Sequence, residues 1–320
     1  MGKAPLNIFY GMVALAGVQP KWIRRAARIT LNKLNCARAG GLFRIVQIET
    51  QNSCTRSCWF CKFGQPRKDP VDLRLSTPVF ERIVSELGKL DFTGRISVYG
   101  INEPLLDDRI VDFISGLRRA CRRAFLSLDT NGDLLDGTML DRLSHAGANA
   151  VIANAYDRTA MRRLAGLADH GPLILQDFRD AAPRVENRGG NVRLPRPIFD
   201  SAQWIDRACL RPSTTLQIRA NGDVVLCCGD MYGDVVFGNV AEQSLVNIWN
   251  SRDMRLTRRR LRKGERRDLP LCESCSHDGT ASFRVPMAAR TARMQKLPKR
   301  WRESTTASPA SGMAKDGRCS

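Results

Sequence analysis

The stretch FRIVQIETQNSCTRSCWFC, residues 43–61, sets both the fold and the chemistry. Its first half, Phe43–Thr50, has the composition and alternation of a strand. Its second half is a loop carrying Cys54, Cys58 and Cys61 at C-x3-C-x2-C spacing. Three thiolates cannot complete a tetrahedral zinc site, and no histidine lies nearby to help. They can hold three irons of a [4Fe–4S] cluster and leave the fourth iron open. The alternative is a zinc knuckle that borrows a ligand from elsewhere in the chain.

Beyond this loop, helices are predicted at Thr77–Leu90 (Ser76 as N-cap, Pro78 in the first turn), Asp107–Cys121, Asp136–His145 and Thr159–Leu167. Strands are predicted between them at Arg95–Tyr99, Phe125–Asp129, Ala148–Asn154 and Leu173–Phe178. Alternation of this kind implies a parallel sheet of βαβ units, here an α/β partial (β/α)6-type barrel rather than a closed eight-fold one. Residues 180–212 are rich in Arg, Pro and Gly and read as a connection. Thr215–Arg219 and Asp223–Cys228 flank Ala220-Asn221-Gly222, a hairpin signal. A helical Leu245–Asn250, a basic run and Cys272-x2-Cys275 follow. The expected organisation is a helical extension over 1–42, the barrel over 43–200, a small hairpin-containing domain over 201–285 and a basic, disordered tail over 286–320.

The 320-residue chain carries 51 Lys+Arg against 32 Asp+Glu, a net charge of +19. Residues 252–267 hold nine basic and two acidic side chains, and 287–320 hold eight and two, so +13 of the total sits in two segments. The body is not unusually basic, and neither segment interleaves aromatics for base stacking, which argues against nucleic-acid binding. The basic run reads as a solvated helix or as a rim that attracts an acidic partner. The eleven cysteines fall mostly in short spacings that favour metal ligation in a reducing, cytoplasmic compartment over disulfides. Leu6–Val18 is apolar but too short to span a bilayer and contains Gly11 and Gly17, so it reads as a packed helix rather than an export signal. Ile23–Leu34 reads as an amphipathic helix.

A second thiol set comprises Cys209, Cys227, Cys272 and Cys275, with Cys228 beside Cys227. Four thiolates suit either a structural zinc or a fully ligated [4Fe–4S] cluster. Cys228 would project to the opposite side of its strand.

The first cysteine spacing, with Phe60 before the last cysteine, resembles the radical S-adenosylmethionine (SAM) superfamily. That resemblance implies SAM chelated to the open iron, cleaved by one electron to a 5′-deoxyadenosyl radical, with Phe60 against the adenine. Gly100-Ile101-Asn102-Glu103-Pro104 is similar to the family's Gly-Gly-Glu-Pro. Glu103 would accept from the SAM amino group and Gly100 would admit the ligand to the backbone, while Ile101-Asn102 departs from the pattern at the second glycine. Asp129-Thr130-Asn131-Gly132 resembles the family's Thr-Asn-Gly segment near the ribose, although Asn-Gly alone would explain a turn there. Asn154 stands where the family often has a serine that touches SAM.

The C-terminal region resembles the SPASM/twitch extension of these enzymes. It shares the Asn-Gly-Asp hairpin, the Cys-Cys pair, Gly238-Asn239-Val240, Ile248-Trp249-Asn250 and the closing C-x-x-C. Only Cys319 follows, so the likeness is to the shorter twitch form, with one auxiliary cluster on Cys209, Cys227, Cys272 and Cys275. The family's G-x4-C spacing points to Cys227. Cys228 is then either a packed thiol or a hydrogen donor to a substrate radical; Cys36, Cys121 and Cys319 read as incidental.

The resemblance implies hydrogen abstraction from a small biosynthetic metabolite such as a sugar or aminocyclitol, for dehydrogenation or epimerisation, with flavodoxin or ferredoxin as electron donor. Only 42 residues precede the first strand, too few for a leader-peptide recognition domain, which sets a peptide maturase second. A zinc-binding, nucleic-acid-associated protein is the alternative from another class.

Overall fold

The structure, a computed structural model, describes residues 41–66, 72–178, 186–193 and 204–280. The expected Leu6–Val18 and Ile23–Leu34 helices, the 286–320 tail, Cys36 and Cys319 lie outside the described residues.

Strands and helices alternate as β1 (Ile45–Ile48), α1 (Thr77–Lys89), β2 (Arg95–Ser97), α2 (Ile110–Ala120), β3 (Phe125–Thr130), α3 (Gly137–His145), β4 (Ala150–Ala155), α4 (Arg158–Ala165) and β5 (Leu173–Asp177). Then come β6 (Thr215–Ile218), β7 (Asp223–Val225), β8 (Val236–Asn239), α5 (Leu245–Trp249) and α6 (Arg252–Lys263). All eight strands form one sheet in the order β5-β4-β3-β2-β1-β6-β7-β8. Pairing is parallel from β5 through to β6, and β7 and β8 add antiparallel. The barrel is therefore partial and open. The expected hairpin forms, but its first strand, β6, is also the sixth parallel strand, so the sheet runs unbroken past residue 200.

Local chemistry fixes the helix starts. Asp136 and Asp157 each accept from a backbone N–H three residues on, at 2.7 Å, capping α3 and α4. Ser76 occupies the N-cap of α1, with Pro78 in the first turn, but makes no side-chain cap bond.

Strand alternation separates two faces. Val46, Ile96, Leu126 and Leu216 are fully buried on one face, with Ile83 and Leu87 of α1 and Ile114 and Leu117 of α2 in the same core. Burial of each such side chain contributes about 1.5–3 kcal/mol. The opposite face is polar. Gln217, Gln47, Ser97 and Ser127 lie in register across β6, β1, β2 and β3. Arg95 donates to Ser127 Oγ at 2.9 Å and reaches Asp129 Oδ2 at 3.4 Å. This face lines the lumen. Among the described residues no helix is long and apolar enough to cross a membrane.

Candidate active site and second cysteine cluster

The Cys54–Cys61 loop begins where β1 ends and is tied down from three sides. Cys61 N–H donates to Cys58 C=O at 2.9 Å and Gly64 N–H to Cys61 C=O at 3.0 Å. A Cβ at Gly64 would stand 2.3 Å from Cys58 O, so this loop closes only over a glycine. Arg56 binds both oxygens of Asp133, at 2.7 and 2.5 Å, and lies over Tyr156. The Asn131 side chain donates to Thr55 Oγ1 at 2.9 Å and approaches Cys54 Sγ at 3.6 Å.

The three thiols share one neighbourhood. All three raise the Tyr156 hydroxyl, after burial as the main cause. Burial pushes the Cys54 thiol up, with Glu103 and Cys61 adding to it. Phe60 packs in a small cluster with Tyr156, Val192, Met231 and Tyr232.

Glu103 has a role that the sequence reading did not anticipate. It is completely buried and accepts from Thr130 Oγ1 at 2.7 Å, Asn131 N–H at 2.8 Å and Leu105 N–H at 3.1 Å. Its own N–H donates to Ser53 C=O at 2.9 Å. It thus joins the loops after β1, β2 and β3. Gly100 likewise differs from expectation, because a Cβ there would meet Glu49 Oε2 at 2.3 Å; the glycine admits the chain's own carboxylate. Asn154 donates to Thr130 C=O at 3.3 Å, bracing β4 against β3.

Among the described residues, the buried atoms without a hydrogen-bond partner include the acceptor Glu49 Oε1 and the donor Asn102 Nδ2. These two flank Gly100–Asn102, beside three thiols. An unmet acceptor and an unmet donor match the ammonium and carboxylate of an amino-acid ligand, so this donor set fits an iron–sulfur cluster with SAM.

The second thiol set surrounds a recess lined by Cys209, Cys227, Cys272 and Cys275 together with Arg188, Arg211, Arg266, Glu186 and His277. Cys209 N–H donates to Leu261 C=O of α6 at 2.7 Å. A strap from Asn187 to Gly189 is stitched to the Cys272–Cys275 loop. Asn187 bonds Ser276 in both directions, at 2.8 and 2.9 Å, and Ser274 Oγ donates to Gly189 C=O at 3.0 Å. Arg211 pairs bidentately with Glu186 at 3.2 and 3.1 Å. Arg266, almost wholly buried, donates to the carbonyls of Arg207 and His277 at 2.8 and 2.9 Å. Burial and the Arg211 charge push His277 down to about 4, so it is neutral at physiological pH. Its Nδ1 accepts from Gly279 N–H, leaving Nε2–H for Glu186 at 3.2 Å.

Four thiols around one recess, with three guanidiniums nearby, fit an anionic [4Fe–4S] group.

Cys227 lines the recess and Cys228 does not. Cys228 lies close to Arg211 and Arg188 of the recess and to Tyr99, and Tyr99 in turn neighbours Asp129 and Arg95. Arg188 feels Cys61 of the first set as well as Cys228. Sequence reasoning missed Arg56, Glu186, Arg188, Arg211 and Arg266, and no local motif marks them. Cys121 is buried in the apolar core, as an incidental cysteine would be. All described cysteines are free thiols.

A partial barrel with a three-thiol loop after its first strand and a second thiol set below its hairpin defines a radical SAM oxidoreductase. The chain belongs to the radical SAM superfamily: that family's profile matches residues 48–155, and an iron–sulfur cluster-binding SPASM domain matches 209–276. It is similar to the S-adenosyl-L-methionine-dependent 2-deoxy-scyllo-inosamine dehydrogenase of Niallia circulans, at 28% identity over 248 residues, covering 74% of this chain and 94% of that one. The crystal structure of BtrN in complex with AdoMet and 2-DOIA superimposes with a TM-score of 0.66 at 26% identity, covering 75% of this chain and 97% of that one. BtrN in an open conformation gives a TM-score of 0.59 at 23% identity, over 75% and 98% of the two chains, a likeness of fold. Iron–sulfur clusters and SAM are accordingly this enzyme's cofactors.

Proposed function

We propose that the protein dehydrogenates a carbon of a small, polyhydroxylated or amino-substituted ring metabolite. The observation that carries this is the polar lumen: the in-register row Gln217, Gln47, Ser97 and Ser127, extended by Arg95, Tyr99 and Asp129. Such a surface pairs with hydroxyl and amino groups and leaves an apolar ligand's neighbours unsatisfied. The dehydrogenase relatives act on an aminocyclitol, a molecule of that chemistry.

In this reading Cys54, Cys58 and Cys61 hold the SAM-binding cluster, and Cys209, Cys227, Cys272 and Cys275 hold the auxiliary one. When bound, the first cluster and SAM supply the radical that removes hydrogen, and the second supplies an acceptor for the remaining electron. The chain's own part is positional. Glu103 and Asn131 lock the cluster loop against β3. Glu49 and Asn102 offer the unmet acceptor and donor for SAM. Asp129, held by Arg95, accepts from a substrate hydroxyl or amine. Oxidation is favoured over epimerisation by the three guanidiniums beside the four thiols, which stabilise added negative charge. Epimerisation is the second reading, because the Cys228 thiol is not part of the recess lining and neighbours Tyr99. A cytoplasmic setting and a flavodoxin- or ferredoxin-type reductant complete the proposal, supported by the free thiols.

The test is anaerobic turnover of the reconstituted enzyme with 2-deoxy-scyllo-inosamine and related polyols. A product lighter by two hydrogens is expected. A product of unchanged mass in ordinary water that gains one deuterium in D2O would replace dehydrogenation with epimerisation.

A further inference from the structure

Helix α6 carries Arg252, Arg255, Arg258, Arg259, Arg260, Arg262 and Lys263 against a single acid, Asp253. Many of these arginines sit three or four residues apart, so like charges meet on the helix surface and weaken it. Nearby acids relieve only its C-terminal end, where Glu265 and Asp268 pair with Arg260 and Lys263. Arg252, Arg255, Arg259 and Arg262 are exposed, and among the described residues none has an ion-pair partner. Underneath, Arg258 lies over the Trp249 ring at 3.9 Å and donates to its carbonyl at 2.7 Å. Burial brings Arg258 down to about 10, with the charges of Arg262 and Arg255 adding to it.

Two further observations bear on what this face receives. Leu256 stands among these arginines and is 46% exposed, one of three large exposed hydrophobic residues among those described. The buried side of the same helix supplies Leu261 to the wall of the thiol recess, and the Leu261 carbonyl accepts from Cys209 N–H at 2.7 Å. The outer face is thus about one helix diameter, roughly 10 Å, from a cysteine of the second set.

We infer that the outward face of α6 is a docking surface for an acidic one-electron carrier protein, which exchanges electrons with the group held at the Cys209–Cys275 recess. Charge complementarity selects the partner's sign, the exposed leucine supplies an apolar centre, and the short path through the helix to Cys209 selects a redox protein over other acidic partners. After each substrate oxidation, one electron leaves the reduced auxiliary cluster, which returns to its oxidised state. The docked carrier gains that electron, as oxidised flavin does in forming a semiquinone with one solvent proton. The inference rests on the proposal that the recess holds a cluster.

The test uses the anaerobically reconstituted enzyme and purified oxidised flavodoxin, with binding followed calorimetrically. The variant R252Q/R255Q/R259Q/R262Q is compared with R119Q/R122Q/R142Q/R158Q, which removes the same charge elsewhere on the surface. Binding is expected to weaken about tenfold or more in the α6 variant, to change little in the control, and to fade as salt rises from 50 to 500 mM. Equal weakening in both variants, or no flavodoxin binding by a wild type holding both clusters, overturns the inference. So does retained flavodoxin binding with loss of RNA binding in the α6 variant alone, which would make the face a nucleic-acid surface. Iron counted on the same samples separates this failure from failure of the cluster reading itself.

Discussion

Replacing Asp129 with asparagine should stabilise the protein at neutral pH. The Asp129 side chain is 19% exposed, and its best-placed cation, Arg95, stands 3.4 Å away. Burial pushes its carboxyl to about 6, with Arg95 drawing it part of the way back. The unfolded value is about 3.9. The folded state therefore holds the proton more tightly, so this group favours folding below about pH 4, and that contribution is lost as pH rises through 6. Some two units of displacement at about 1.4 kcal/mol per unit set a ceiling of about 3 kcal/mol at pH 7.5. Partial exposure lowers that figure. Asparagine keeps the shape without the charge. Between pH 5 and 7.5 the wild type should lose about 1.4 kcal/mol through this residue, or about 3–5 °C in Tm, a loss the variant escapes. Thermal unfolding of the anaerobically reconstituted proteins at both pH values is the assay. Parallel pH profiles for the two proteins would show that burial does not raise the Asp129 carboxyl as argued.

Five other substitutions probe the two thiol sets. Cys227→Ala should lower iron from about eight to about four atoms per chain, while Cys228→Ala keeps the full complement; equal losses would mean that the recess does not discriminate between them. Gly64→Ala forces a Cβ to within 2.3 Å of Cys58 O, so it should deplete the SAM-binding cluster and its cleavage of SAM while leaving the auxiliary cluster's EPR signal intact. Arg211→Met removes the bidentate partner of the Glu186 carboxylate and leaves it His277 and the more distant Arg188 charge. It should cost about 3–5 kcal/mol, read as a fall in Tm, and adding Glu186→Gln should recover part of it; no recovery would mean that Arg211 acts through packing.

The parallel half of the fold was legible because each βαβ unit carries its own local marks: an apolar strand, a polar cap such as Asp136 or Asp157, and an amphipathic helix. The hairpin followed from Asn221-Gly222 for the same reason. β8 did not, because its four residues include Gly238 and pair across an irregularity at Val224/Val225, which erases strict alternation. The cysteines could be read because thiol spacing is a local property. The residues that surround them could not. Arg188 and Glu186 come from a Pro- and Gly-rich connection with no periodicity, and Arg266 from a run that composition alone describes as solvated. Burial of those charges depends on contacts distant in sequence, such as Arg188 with the Cys228 carbonyl, 40 residues on, at 3.2 Å. Glu103 was found by resemblance, yet its three intrachain donors come from the β2 and β3 loops, which no single motif joins.

Strand order determines how the two thiol sets face the lumen. β1 runs towards Cys54, and β6 pairs with it in parallel from Ile45↔Thr215 to Ile48↔Ile218. Cys209 precedes β6, and β7 returns antiparallel to bring Cys227 back to that same end. The two sets therefore sit at opposite ends of one strand pair only four residues long, about 13 Å of backbone, with the polar row between them. Cys227 lines the recess and the adjacent Cys228 does not. A one-residue slip of β7 would exchange their places along the strand. Pairing register, held by Gln217↔Val225 and Ile218↔Val224, therefore bears on which thiol meets the recess, a choice that the Cys-Cys dipeptide by itself leaves open.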